Sequence, residues 1–183
     1  MIYTTLNKIR AAGPCGLKPD SDGTRTGLCK LLHHLGKTTT DDDPVSFAVI
    51  LESNGLDDAL WCLRTMPEES RRWRRLAVAF ARTVQHLMQD PRSLRALDVA
   101  QAHAEGCATD SELAAAWDAA VAAWDAAGDN AEDARAAGAA AWAAAVDTAW
   151  DTAWDVARAA GDAARAAAWA RMSEIFLACL NTP

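Results

Sequence analysis

The 183-residue chain has no apolar run of 18 residues free of charge, which excludes a membrane-spanning helix of ordinary length. Its first ten residues, MIYTTLNKIR, are too polar for a secretory signal. The five cysteines (15, 29, 62, 107 and 179) are odd in number and lack paired spacing, so a disulfide scaffold is not expected. A reducing cytoplasm fits them best. Several motifs are missing too. There is no Gly-x-Ser-x-Gly elbow, dinucleotide fingerprint or His-Glu-x-x-His, and Gly23–Gly27 (GTRTG) lacks the Lys-Ser/Thr of a phosphate loop. Cys29 and His33, with Cys15 and His34 nearby, match no familiar zinc spacing. His86 and His103 stand alone. No metal, no cofactor and no catalytic set is expected, and the chain reads as a non-enzyme.

Basic residues are scarce in one part of the chain. Between Ser111 and Ala170 there are three, against ten acidic residues, a net of −7. Residues 1–110 hold 14 of each sign, so the whole imbalance lies in this window. A chain this acidic is not a general nucleic-acid binder by net charge. The same 60 residues contain 30 alanines. The composition therefore divides the chain into 1–108 and 109–183, joined near Gly106–Asp110, as two parts of one compact unit.

What is present reads as helix. Residues 11–27 form a Gly/Pro/Asp/Ser-rich loop, followed by a short helix over about 28–35 that Gly36 stops. Asp43-Pro44 reads as a capped helix start, with Ser53-Asn54-Gly55 as its stop; the β-branched run Val45–Leu51 leaves a buried strand as the alternative. Leu56, Ala59, Leu60 and Leu63 repeat at helical spacing up to Pro67. Trp73, Leu76, Ala77, Phe80, Val84, Leu87 and Met88 make the clearest apolar stripe. Asp90-Pro91 starts another helix, and Thr109-Asp-Ser-Glu112 is a capping box before the Ala-rich run. Alanine has the highest helix propensity, and its small side chain lets helices approach closely. The expected fold is all-α: a multi-helix bundle or short solenoid-like stack with a close-packed Ala/Trp-rich C-terminal part.

Larger side chains must anchor such packing, and six of the eight tryptophans lie in the Ala-rich part. Trp117 and Trp124 are two turns apart, and Trp142, Val146, Trp150 and Trp154 step by four. Aromatic residues at this spacing read first as core, and otherwise as a partner or homodimer interface.

Two charged patterns are candidate sites. Asp147, Asp151 and Asp155 are spaced by four, with Asp162 seven further on, and Asp118 and Asp125 each follow a tryptophan. The bland reading is a solvated helix face. The functional reading is a row of carboxylates for a basic partner, standing in for a phosphate backbone. The second pattern is Arg71, Arg72, Arg74 and Arg75 around Trp73, with Arg82 on the same helix. It is a solvated face, a seam against the protein's own acidic helices, or an anion site made by Arg71, Arg74, Arg75 and Arg82.

Residues 51–64 (LESNGLDDALWCLR), 83–98 (TVQHLMQDPRSLRALD) and the Ala-Trp-Asp-rich tail resemble a family of small phage and prophage immunity proteins. The similarity spans about residues 1–170. It implies a part in conflict between phage, plasmid and host. Joined to the acidic stripe, it leads to an expected non-catalytic inhibitor that blocks a bacterial defence protein, of anti-CRISPR or similar counter-defence type. A toxin-neutralising immunity protein is the alternative. A nucleic-acid-binding regulator acting through Arg71–Arg75 is a further one.

Overall fold

The computed structural model describes residues 2–127, 131–144 and 149–182; of residues 131–134, 137, 144, 162 and 163 it describes the backbone alone. Described residues form ten α-helices, with one two-stranded sheet as their extended structure, so the fold is all-α. By internal packing the chain forms two units, Met1–Glu68 with Leu177–Pro183, and Glu69–Phe176.

The first unit opens with strand β1 (Tyr3–Thr5) and helix α1 (Leu6–Ala11), whose N-cap Thr5 accepts the Lys8 N–H. Helix α2 (Gly27–His34) follows the loop. Strand β2 (Pro44–Ser46) pairs antiparallel with β1 in the register Tyr3–Ser46, Thr4–Val45 and Thr5–Pro44. This corrects the helix start expected at Asp43-Pro44. Proline has no N–H to give a ladder but is tolerated as the first residue of a strand. The cap is Ser46, which accepts the Val49 N–H, and helix α3 (Phe47–Asn54) begins behind it. Gly55, at φ 93°, turns the chain into helix α4 (Leu56–Trp61), which runs on as a tight 3-10 turn over Cys62–Thr65. Leu6, Ile9, Leu31, Phe47, Ile50 and Leu60 fill this core. A hydrogen bond of 2.8 Å between the buried Thr4 and Thr65 hydroxyls ties the strand to the end of that turn.

The second unit is a helical bundle. Helix α5 (Ser70–Arg82) buries Trp73, Leu76, Ala77 and Phe80. Helix α6 (Pro91–Ala104) starts on Asp90, whose carboxylate accepts the Arg92 N–H. It ends where Gly106, at φ 80°, lets Cys107 N–H reach the Ala102 carbonyl. Helices α7 (Asp110–Ala126), α8 (Ala131–Ala144) and α9 (Ala149–Ala159) follow, and α10 (Gly161–Asn181) runs on into the residues grouped with the first unit. Helix α7 packs on α6 and α8, so the compositional boundary near Gly106–Asp110 falls inside this unit. Much of its interior is alanine: Ala116, Ala120 and Ala123 of α7, Ala136, Ala139, Ala140 and Ala143 of α8, and Ala153 and Ala157 of α9 are buried. The larger pieces include three indoles set edge to face, Trp150 with Trp154 at 6.3 Å and Trp154 with Trp169 at 5.2 Å.

The capping box of α7 forms as its sequence suggests. The Glu112 carboxylate accepts the Thr109 N–H at 2.7 Å, and the Thr109 hydroxyl accepts the Glu112 N–H at 3.2 Å. The Thr109 N–H, then its hydroxyl, holds the Glu112 carboxyl below its ordinary pKa; Arg92 does the same to Asp90. A carboxyl with a depressed folded pKa stabilises above its unfolded value, near 4, and that stabilisation is lost as pH falls through the folded value. Thr109→Ala keeps the backbone N–H but removes the hydroxyl that caps the helix and donates to Glu112, and loss of such a cap is expected to cost about 1 kcal/mol at neutral pH. Thermal unfolding at pH 7 and at pH 3 checks this: the gap to the parent protein should narrow at the acid pH.

Candidate interaction site on helix α7

The acidic stripe does not survive as a single exposed row. Asp147 lies outside the described residues, and Asp162 is in α10 with a side chain outside the description. Asp151 is half-buried and has an interaction partner. Asp155 is only 5% exposed and forms an ion pair with Arg158. Its carboxylate faces Gly138 of α8: a Cβ there would stand 2.8 Å from Asp155 Oδ2. Asp155 is therefore corrected from a surface contact to an interior ion pair. A spacing of four places these residues on one helix face, but that face turns inward at Asp155.

Asp118 and Asp125 of α7 behave differently. Both are exposed, and neither makes an ion pair or hydrogen bond among the described residues. The tryptophans before them are exposed too, Trp117 by 39% and Trp124 by 43%. The first reading of those two indoles as core is thus only half right. Trp124 rests against α8, with its ring 4.0 Å from where a Gly138 Cβ would lie. Each indole is partly covered and presents the rest outward.

The geometry of the helix explains the patch. Residues three and four apart are neighbours on its surface. Val121 stands four from Trp117, three from Asp118, three from Trp124 and four from Asp125, so all four surround it. Indoles line one side of Val121 and carboxylates the other. The sequence Asp110–Ala126 contains four acidic residues and no basic one, so nothing on the helix neutralises the row. Sequence reasoning missed Val121, although its spacing to the two Trp-Asp pairs was there to read.

The arginine cluster is largely engaged within the second unit. Arg74 is buried and partnered. Arg75 donates to the Ala104 carbonyl at 3.3 Å, and an Arg71 Nη1 lies 4.0 Å from where a Gly106 Cβ would be. Both cations therefore sit at the C-terminal end of α6, where the helix dipole favours positive charge. Arg82 pairs with Asp98 at 2.5 Å. Of the readings offered for this cluster, these contacts support engagement within the protein over a free anion site. Those of Arg75 and Arg71 are made at the end of α6 and that of Arg82 to Asp98.

Other reactive groups do not assemble. Among the described residues no three His, Cys, Asp or Glu side chains are placed to hold a metal. Burial pushes the Cys62 thiol up to about 12, which keeps it protonated. His103 Nε2 lies 2.8 Å from Asp110 Oδ1, bridging the end of α6 to the start of α7, while its buried Nδ1 has no partner among the described residues. A groove of about 690 Å³ runs between α6 and α7, lined by alanines with Arg92, Arg95, Asp98, Cys107 and Glu112 at its edges. No helix among the described residues is long and apolar enough to cross a membrane.

No protein-family model matches the chain, and no curated protein or solved structure matches it significantly.

Proposed function

We propose that this protein is a non-catalytic inhibitor from a mobile element. In this reading it docks α7 on a basic surface of a bacterial defence protein and blocks that protein's nucleic-acid contacts. The observation that carries the proposal is the grouping around Val121 of two half-exposed tryptophans with two exposed aspartates that have no partner among the described residues. Tryptophan is a favoured interface anchor because one side chain covers much apolar area at small entropic cost. Carboxylates beside it select a basic partner, steer encounter and repel acidic ones. The resemblance of residues 51–64 and 83–98 to phage immunity proteins supplies the biological setting. The regulator reading has less support, since Arg74 is buried and Arg75 and Arg82 are engaged within the protein.

The test is affinity capture from nuclease-treated lysate of the phage host. Two baits are compared, the parent chain and the variant Trp117→Ala/Asp118→Asn/Trp124→Ala/Asp125→Asn. The parent is expected to retain a basic protein in stoichiometric amount, and the variant to lose it at least tenfold. The recovered protein's nuclease or nucleic-acid-binding activity should fall on adding the parent chain. An empty parent bait, or equal recovery by both, would overturn the proposal.

A further inference from the structure

The outward face of α7 has a register that narrows the chemistry of its partner, and this step rests on the reading just given. Asp110, Ala114, Trp117, Val121 and Trp124 follow one another in steps of four, three, four and three. That is the spacing of a coiled-coil seam, in which side chains of one helix enter holes between those of another. Helix α7 carries a second such row, Leu113, Ala116, Ala120 and Ala123 in steps of three, four and three, and that one is buried. The inner seam is used by the bundle. The outer one carries the two exposed indoles, exposed Ala114 and partly exposed Val121.

Asp118 and Asp125 each follow a seam tryptophan by one position, which in a coiled coil is the flanking site that selects the partner by charge. They are seven residues, or about 10.5 Å, apart along the axis. We infer that the outer seam of α7 receives an amphipathic helix of another protein. That helix carries an apolar stripe bordered by lysine or arginine at seven-residue spacing. The seam from Asp110 to Trp124 is about 21 Å long, so about four turns of partner helix cover it. A second copy of α7 does not suit this face. It would bring carboxylates against carboxylates, with no basic residue on either helix. Trp124 already rests against α8, so it needs little ordering when the partner arrives.

The probe is a labelled synthetic peptide of three heptads, with leucine at the two apolar positions and arginine at the flanking ones. Its control has the same composition with the register scrambled. Fluorescence anisotropy measures binding to the full chain and to three folded variants, checked by circular dichroism. The registered peptide should bind at least tenfold more tightly than the scrambled one. Trp117→Ala/Trp124→Ala should abolish binding. Asp118→Asn/Asp125→Asn should weaken it at least tenfold and flatten its salt dependence, while Arg95→Ala on α6 should leave it unchanged. Equal binding of both peptides would overturn the helical register and leave a basic partner standing. If neither peptide binds while capture from lysate still depends on α7, this inference alone fails; if capture fails as well, both do. A dimer of the chain alone that Trp117→Ala/Trp124→Ala dissociates would put a second copy on the face, and would also overturn it.

Discussion

Phe80→Ala is expected to destabilise the second unit by about 3–5 kcal/mol. Phe80 is fully buried in α5, the helix that packs on α6, α8 and α9. Its neighbours in that bundle are rich in buried alanine, which has no rotamer with which to fill a hole. The cavity therefore stays open, and the cost belongs at the upper end of what the lost apolar area alone would give. Typical domains are stable by about 5–15 kcal/mol, so the change removes a large part of the total. Urea unfolding followed by tryptophan fluorescence checks it. Seven of the eight tryptophans lie within Glu69–Phe176, so the signal reports this unit. With a urea dependence of about 2 kcal/mol per molar, the midpoint should fall by about 2 M. Phe80→Leu keeps most of the volume and should cost clearly less. A Phe80→Ala loss below about 1 kcal/mol would show that the bundle collapses around the gap, against the rigid alanine packing described above.

The helices were legible where local chemistry and apolar period agree. Asp90 before Pro91, the Thr109–Glu112 box, and the glycines at 36, 55 and 106 mark boundaries that the structure keeps. The sheet was not legible. Its two strands are three residues each and lie about forty positions apart, too short to show alternation and paired only through tertiary packing. Asp43-Pro44 carries the same signal as Asp90-Pro91. What separates the two is a backbone partner: Tyr3–Thr5 draws residues 44–46 into a ladder, and Ser46 takes over the cap.

The site was half legible for a related reason. In most helices the larger apolar residues show which side is inward. In α7 to α9 alanine occupies inner and outer positions alike, so a row of aspartates at spacing four names a face without telling whether it points to water. Asp155 faces the interior of the second unit, whereas Asp118 and Asp125 face out. The solvated reading of the arginines failed for another reason. Alternation of Arg71, Arg72, Arg74 and Arg75 around Trp73 reads as solvated, yet Arg74 falls among the buried residues of α5. A long apolar stem lets an arginine be buried there while its head finds partners.

Gly138 of α8 gives a prediction whose sign is set by two opposed effects. Replacing a mid-helix glycine by alanine ordinarily gains about 1 kcal/mol. Here the new methyl would stand 2.8 Å from Asp155 Oδ2, inside contact distance of a buried carboxylate paired with Arg158. The short aspartate side chain has little room to swing, so either the ion pair breaks or α8 and α9 move apart. Overpacking of this kind costs about 1–3 kcal/mol and outweighs the helix gain. Gly138→Ala is therefore expected to destabilise by up to about 2 kcal/mol. Asp155→Ala alone loses the ion pair, but Arg158 is half-exposed and turns to water, so the loss stays moderate. With the carboxylate gone, the methyl at 138 occupies the space it leaves and the helix gain returns. The double variant should then be more stable than the sum of the singles by at least about 1 kcal/mol, a coupling that distant sites do not show. Additive effects would mean that the carboxylate yields freely, and that glycine at 138 is not needed for the approach of α9 to α8.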